Sequence, residues 1–199
     1  MSSEQYQFPE IPENVFMVAL TGCSTSGKTT LGKELQSFFQ NDANTSLILI
    51  HQDTFYHPDE YIYSVLKGNW EVKEAVDWEK FINHISLSLK QINPNRKYLF
   101  LIDGFTLFYV PEFYNIFDAV IFMHLDDENV IQRRLVGPWN DTMEYLKDCV
   151  IADYKKYKVE CIKQLLEREK EFIVLDGRIP KNFIYQSALS WLQSLKKIQ

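Results

Sequence analysis

Gly22, Gly27, Lys28 and Thr29 fall within the stretch TGCSTSGKTT, Thr21 to Thr30, at the spacing Gly-x-x-x-x-Gly-Lys-Thr. Glycines at either end let the backbone bend so that successive N–H groups point inward, and their dipoles form a nest for an anion. The apolar run VFMVAL precedes the loop and LGKELQSFF follows it with a helical pattern, so the nest opens onto a helix N-terminus. A lysine there reaches β and γ phosphates, and the threonine hydroxyl offers an oxygen to Mg²⁺. At average residue usage, a chance match in a chain this long is about a one per cent event. Gly22, Cys23, Ser24, Thr25, Ser26, Gly27, Lys28, Thr29 and Thr30 are therefore expected to hold a nucleoside triphosphate, ATP, with Mg²⁺. Cys23 reads as a small loop residue that a helix N-terminus would acidify.

Such a loop leaves the phosphoryl acceptor open: water in GTPases and motor ATPases, a hydroxyl in kinases. No NKxD-type guanine-reading segment occurs. A second apolar run ends in LIHQDTFYHPDE, which puts Asp53 at a strand's carboxyl end, expected beside the phosphate loop. A carboxylate there accepts a hydrogen bond from an acceptor hydroxyl and takes its proton as the P–O bond forms. A third run, YLFLIDGFTLF, ends in Asp103 before Gly104. An acid at this point orders the water around Mg²⁺. Thr29 and Asp103 are thus expected on the metal side. Arg133 and Arg134 close a helical stretch ahead of Gly137 and Pro138. Two arginines beside a hinge-like loop suit a lid that covers the phosphates and excludes water, which would otherwise compete with the acceptor.

These residues need a scaffold, and the rest of the sequence supplies its outline. Apolar runs at 15–20, 46–51, 98–103, 119–125 and 171–176 lack in/out alternation, as expected of strands buried on both faces. Helical patterns fall between them at 28–39, 77–91, 127–135, 143–168 and 181–197. In the second, Asp77 is placed to cap the helix, with Phe81, Ile85 and Leu89 on one face. Such alternation implies an α/β layered sheet. Residues 54–76 and 136–142 have weak periodicity and lie where open α/β sheets bind ligands.

Bulk composition narrows the function. The 199 residues are 46% hydrophobic and 15% aromatic, enough for one core. A net charge of −6 argues against a nucleic-acid surface, which needs clustered Lys and Arg. Cys23, Cys149 and Cys161 form no CxxC pair, so neither disulfides nor zinc are expected. The start, MSSEQYQFPEIPEN, is polar and unlike a signal peptide, and no apolar run nears the ~18 residues of a membrane span. We expect a cytoplasmic, or also nuclear, monomer with a small-molecule substrate.

GCSTSGKTT, IHQDTFY, NWEVKEAVDWEKF, LIDGFTLF, RR and the late VLDG occur in an order that resembles the nicotinamide riboside kinases, within the nucleoside and uridine kinase group of P-loop kinases. The resemblance covers nearly the whole chain beyond residue 14. It implies a three-layer P-loop kinase fold with a five-stranded parallel sheet flanked by helices and a short lid. It further implies a polar tail over 1–14 and one domain over 15–199, with the lid at about 133–143 and the substrate segment at about 54–76. Trp70 would stack on the pyridinium ring, an arrangement an indole face favours. Glu71 would accept hydrogen bonds from the ribose hydroxyls; the family usually has Asp there. Asp53 would be the general base or a water-mediated Mg²⁺ partner, with Phe55 and Tyr56 as pocket walls. Thr54 stands where the family often has a second Asp. Arg134 would reach the substrate, Arg133 would lie nearer ATP, and Trp139 falls where a second stacking aromatic is common. A further lid arginine falls on Gly137, and the lid is short. Asp176–Gly177 reads as structural, near the adenine side. Lys28, Asp53 and Arg134 would carry catalysis, with nicotinamide riboside phosphorylated on its 5′-hydroxyl for NAD synthesis. Uridine, cytidine or pantothenate as acceptor is the alternative, as is an ATP-binding module that has lost acceptor chemistry.

Overall fold

The computed structural model describes residues 6–195. The apolar runs form five strands: β1 (Val15–Gly22), β2 (Thr45–His51), β3 (Lys97–Asp103), β4 (Ala119–His124) and β5 (Glu171–Asp176). They make one parallel sheet in the order β2-β3-β1-β4-β5. The helices are α1 (Lys28–Phe39), α2 (Asp59–Ser64), α3 (Trp78–Lys90), α4 (Phe113–Ile116), α5 (Asp127–Leu135), α6 (Met143–Tyr145), α7 (Ala152–Glu167) and α8 (Lys181–Ser194).

The missing alternation in β1 has a direct cause. Val15, Met17 and Ala19 face a core shared with α3 and α7, whereas Phe16, Val18 and Leu20 face a second core under α1 and α8. Every residue of β1 is buried. A strand covered on both faces has no position left for a polar side chain. The result is the expected three-layer arrangement, with α3, α4 and α7 on one face and α1 and α8 on the other. Each large apolar side chain buried this way contributes about 1.5–3 kcal/mol relative to exposure.

Parts of the outline change. β2 is an edge strand, and β3 lies between it and β1, so Asp53 is not on a strand adjoining the phosphate loop. Sheet order is set by packing between distant segments and leaves no local signal. Residues 54–76 hold the short α2 and a 3₁₀ turn at Lys73–Ala75. The helix expected over 143–168 contains a π-helical turn, Leu146–Ile151, between α6 and α7. The wider turn shifts the helical phase, which π turns often do near functional sites. Of the polar tail expected at 1–14, residues 1–5 lie outside the described range, as do residues 196 and 197 of the helix expected at 181–197. Tyr6, Phe8 and Ile11 pack against the larger core. No helix among the described residues is long and apolar enough to cross a membrane.

Caps set several helix starts. Asp77 accepts from the backbone N–H of Lys80, Asp126 from that of Asn129, and Thr142 from that of Tyr145. α1 has Gly27 as its N-cap residue, so no side chain caps it. Its first N–H groups are therefore left for a ligand.

Candidate active site

The loop between β1 and α1 bends as its glycines require. Gly22 has φ +129°, and a Cβ on it would lie 1.9 Å from the carbonyl oxygen of Met123 on neighbouring β4. Any side chain there would drive the loop off the sheet. Lys28 Nζ donates to the carbonyl of Cys23 at 2.7 Å and lies 6.0 Å from the Phe105 ring centroid. The buried hydroxyls of Thr25 and Ser26 have no protein partner. Such polar atoms cost free energy unless something hydrogen-bonds them, and an anion in the loop would. The side chain of Cys23 points away from this nest, with Sγ 4.0 Å from the carbonyl oxygens of both Met123 and Leu125. Burial raises its pKa against the pull of Lys28, so the acidification expected of a helix N-terminus does not occur.

The strand ends bring an oxygen cluster to the first turn of α1. Thr29 Oγ1 donates to Asp103 Oδ2 at 2.9 Å, and His51 Nδ1 meets the same oxygen at 2.9 Å. Hydrogen bonding to Asp103 raises the His51 pKa against the opposing effect of burial. Asp53 lies in a 3₁₀ turn, Gln52–Phe55, on the open side of the cleft. Solvent reaches it, but the concave walls strip enough water to raise its pKa, against the attraction of Lys28. Asp103 raises it further, so the two carboxylates feel each other's charge. One hydroxyl and two carboxylates suit Mg²⁺, which keeps several waters and substrate oxygens in its shell. Among the described residues no three His, Cys, Asp or Glu side chains form a metal cage by themselves.

The cleft is ≈ 1140 Å³, and Lys28, Thr29, Asp53, Tyr56, Trp70, Glu71, Arg133, Arg134 and Trp139 all line it. Asp53 lies in the 3₁₀ turn and Tyr56 just past its end, and both side chains line the cleft. Phe55 faces the other way, with its ring 5.1 Å from Phe81 and 5.2 Å from His84. It supports α3 and is not a wall of the cleft. Trp70 packs edge-to-face with Tyr56 at 5.1 Å. Glu71 is only 5% exposed, so it is no solvated loop charge. Desolvation pushes its pKa up to about 7, although Arg134 and Lys28 favour the ionised form. Tyr145 Oη donates to Glu71 Oε1 at 3.4 Å and accepts from the Trp70 backbone N–H at 3.3 Å.

The arginines differ in their roles. Arg133 donates to the carbonyls of Thr25 at 3.0 Å and Gly177 at 2.8 Å, joining the phosphate loop to the end of β5. Arg134 is buried and donates to Ser24 Oγ at 2.9 Å and to both oxygens of Asp141. Its guanidinium lies 4.8 Å from the Trp139 ring centroid. Trp139 thus already faces a cation of the protein. A Cβ on Gly137 would meet the Trp139 ring at 2.1 Å, so this lid conformation has no room for an arginine at 137.

Of the side chains expected at the site, those of Cys23, Ser26, Phe55 and Asp103 do not line the cleft, and the others do. Gly22 and Ser26 act from within the loop and Asp103 from behind Thr29. Sequence reasoning missed Phe105, Asp141 and Tyr145 as lining residues. The Thr142 cap fixes where α6 begins and so could have located Tyr145. No local pattern marks Asp141.

No protein-family model matches the chain. It is 28% identical over 176 residues to nicotinamide riboside kinase 1 of Homo sapiens, covering 81% of this chain and 84% of that protein. A nicotinamide riboside kinase of Saccharomyces cerevisiae is 40% identical over 74 residues, 35% of this chain but only 28% of that protein. A uridine kinase of Brevibacillus brevis is 24% identical over 202 residues, covering 91% of this chain and 92% of the relative. Among solved structures, a sugar kinase from Janibacter superposes with a TM-score of 0.58 at 19% identity, over 90% of this chain and 95% of the other. A deoxyadenosine kinase from M. mycoides with bound dATP gives 0.58 at 14% identity, over 90% of this chain and all of the other. The fold is that of the P-loop kinases, and the likeness to nicotinamide riboside kinases spans most of the chain.

Proposed function

We propose that this chain transfers the γ-phosphoryl group of Mg·ATP to the 5′-hydroxyl of nicotinamide riboside, giving nicotinamide mononucleotide for NAD salvage. The observation that carries the reading is the single cleft in which Lys28 and Thr29 share walls with Asp53, Trp70, Glu71 and Arg134. The likeness to nicotinamide riboside kinases supports the acceptor.

The residue roles follow from charge and reach. Backbone N–H groups of 22–30 and Lys28 bind the β and γ phosphates, and Arg133 braces the loop from the adenine side. Thr29, Asp53 and Asp103 are the groups that would hold Mg²⁺, directly or through water. When bound, the ion offsets charge on the β and γ oxygens. Trp70 stacks on the cationic ring, Tyr56 supports it, and Glu71 accepts from the ribose diol. Trp139 contributes through Arg134. Asp53 accepts a hydrogen bond from the 5′-hydroxyl. As the O5′–P bond forms and the bond from phosphorus to ADP breaks, the proton passes to Asp53. Its raised pKa makes it the better base for that step. Arg134 stabilises the transferring group. We assign residues 54–76 to acceptor binding, 133–143 to the lid and 15–199 to one domain. A monomer in the cytoplasm or nucleus suits this role.

The test is incubation with Mg·ATP and nicotinamide riboside, uridine, cytidine or pantothenate in parallel, read by ADP release and by mass of the product. Mononucleotide from the cationic nucleoside supports the proposal; none at millimolar substrate removes it. A second reading, a pyrimidine nucleoside as acceptor, draws on the likeness to uridine kinases and predicts turnover on uridine or cytidine alone. ATP binding without turnover on any acceptor would leave a nucleotide-binding module.

A further inference from the structure

Asp141 belongs to the stretch between α5 and α6, and its side chain is 8% exposed. Arg134 Nε donates to its Oδ2 at 2.6 Å and Nη2 to its Oδ1 at 3.1 Å. This two-point pairing fixes the plane of a guanidinium as well as its position. The remaining neighbours of Arg134 come from other parts of the site. Nη1 donates to Ser24 Oγ of the phosphate loop at 2.9 Å and faces Glu71 Oε1 of the acceptor segment at 4.0 Å. Trp139 covers the guanidinium face. Of the five N–H hydrogens a guanidinium carries, these bonds engage Nε and one on each Nη, so hydrogens remain for a ligand.

A long arginine side chain carries substantial rotamer entropy, which would be lost at each turnover if the group were ordered only by substrate. Here that ordering is already present. Asp141 supplies the carboxylate that holds Arg134 where phosphate loop and acceptor segment meet. Without it, a buried guanidinium would lose both oxygens of its hydrogen-bonded carboxylate and retain one hydroxyl and a carboxylate at the limit of ion-pair distance.

We infer that Asp141 is a positioning residue for phosphoryl transfer, one that pre-sets Arg134 between the phosphate loop and the acceptor pocket. The inference rests on the kinase reading above. It assigns Asp141 no contact with either substrate, and its effect passes through Arg134.

The experiment compares Asp141→Ala, Asp141→Glu, Arg134→Ala and the double variant Asp141→Ala/Arg134→Ala with the parent chain. It measures kcat, both KM values, the thermal midpoint and the exchange of the Arg134 Nε hydrogen by ¹⁵N NMR. Misplacement by about 1 Å costs up to a hundredfold in rate, so Asp141→Ala should lower kcat by about ten- to a hundredfold. The KM for Mg·ATP should stay within about threefold, and Asp141→Glu should recover part of the loss, as expected of an effect on the transition state alone. The double variant should be no slower than Arg134→Ala alone, because residues that act as a unit are not additive. Losses that add in the double variant would overturn the inference, as would an unchanged kcat once the Nε hydrogen exchanges fast. If the parent chain phosphorylates no nucleoside, the kinase reading fails. Slow Nε exchange that Asp141→Ala abolishes would still establish the clasp, and exchange unaltered by that variant would refute it.

Discussion

Thr29 donates its hydroxyl to Asp103 across 2.9 Å, which ties the first turn of α1 to the end of β3. With its hydrogen committed to a carboxylate, the hydroxyl presents only lone pairs to the cleft, the state a hard cation requires. His51 meets the same Asp103 oxygen at 2.9 Å and so further restrains the carboxylate.

Thr29→Ala should therefore raise the Mg²⁺ concentration for half-maximal turnover by about tenfold, and Asp103→Asn should act in the same direction, because each removes an oxygen or charge from a site of hard ligands. A Mg²⁺ titration at fixed total ATP measures it. An unmoved midpoint in both variants would leave the pair a structural link between α1 and β3.

Asp53→Asn keeps the shape of the 3₁₀ turn but removes the carboxylate proposed to take the proton. Turnover should fall by about 10²–10⁴-fold, the usual range for a lost general base, while ATP affinity by calorimetry changes little. Equal loss in both would make Asp53 part of the nucleotide site alone.

Much of this arrangement was legible before any coordinates. The run VFMVAL announced a strand buried on both sides, and β1 is one, with its two faces in separate cores. The boundaries of α1 and α5 match the expected 28–39 and 127–135, because a loop glycine and the Asp126 cap mark their starts. What stayed hidden depends on groups far apart in the chain. The place of β2 at the sheet edge reflects its pairing with β3 rather than β1. The outward turn of Phe55 follows from a 3₁₀ phase that LIHQDTFY does not advertise. The partner of Arg134 lies seven residues away across a loop, and a carboxylate in a loop resembles any solvated charge until the fold buries it.

In the proposed acceptor site, Glu71 brings a dependence on pH. Desolvation places its pKa at about 7, so below that it is mostly neutral and a weaker acceptor for the ribose hydroxyls. The ionised fraction of such a group rises about tenfold between pH 6 and 8. KM for the nucleoside should accordingly fall by up to about tenfold over that range. Glu71→Gln should remove the slope and hold KM at its high value. A Glu71→Gln profile as steep as that of the parent chain would assign the dependence to another group.

Trp70 meets the edge-to-face ring of Tyr56 and lines the same cleft as Asp53. An indole face attracts a cation by about 0.5–2 kcal/mol, which converts to roughly two- to thirtyfold in affinity. A leucine at this position keeps apolar contact but has no quadrupole. Trp70→Leu should therefore weaken the cationic nicotinamide riboside by roughly two- to thirtyfold. It should weaken the neutral, reduced form of the same nucleoside much less, and Trp70→Phe should fall between. The measurement is KM or direct binding for both forms on each variant. Equal losses for the charged and neutral rings would show that Trp70 acts by area and shape, and the preference for a cation would then have to come from Glu71, the ionisable group beside it.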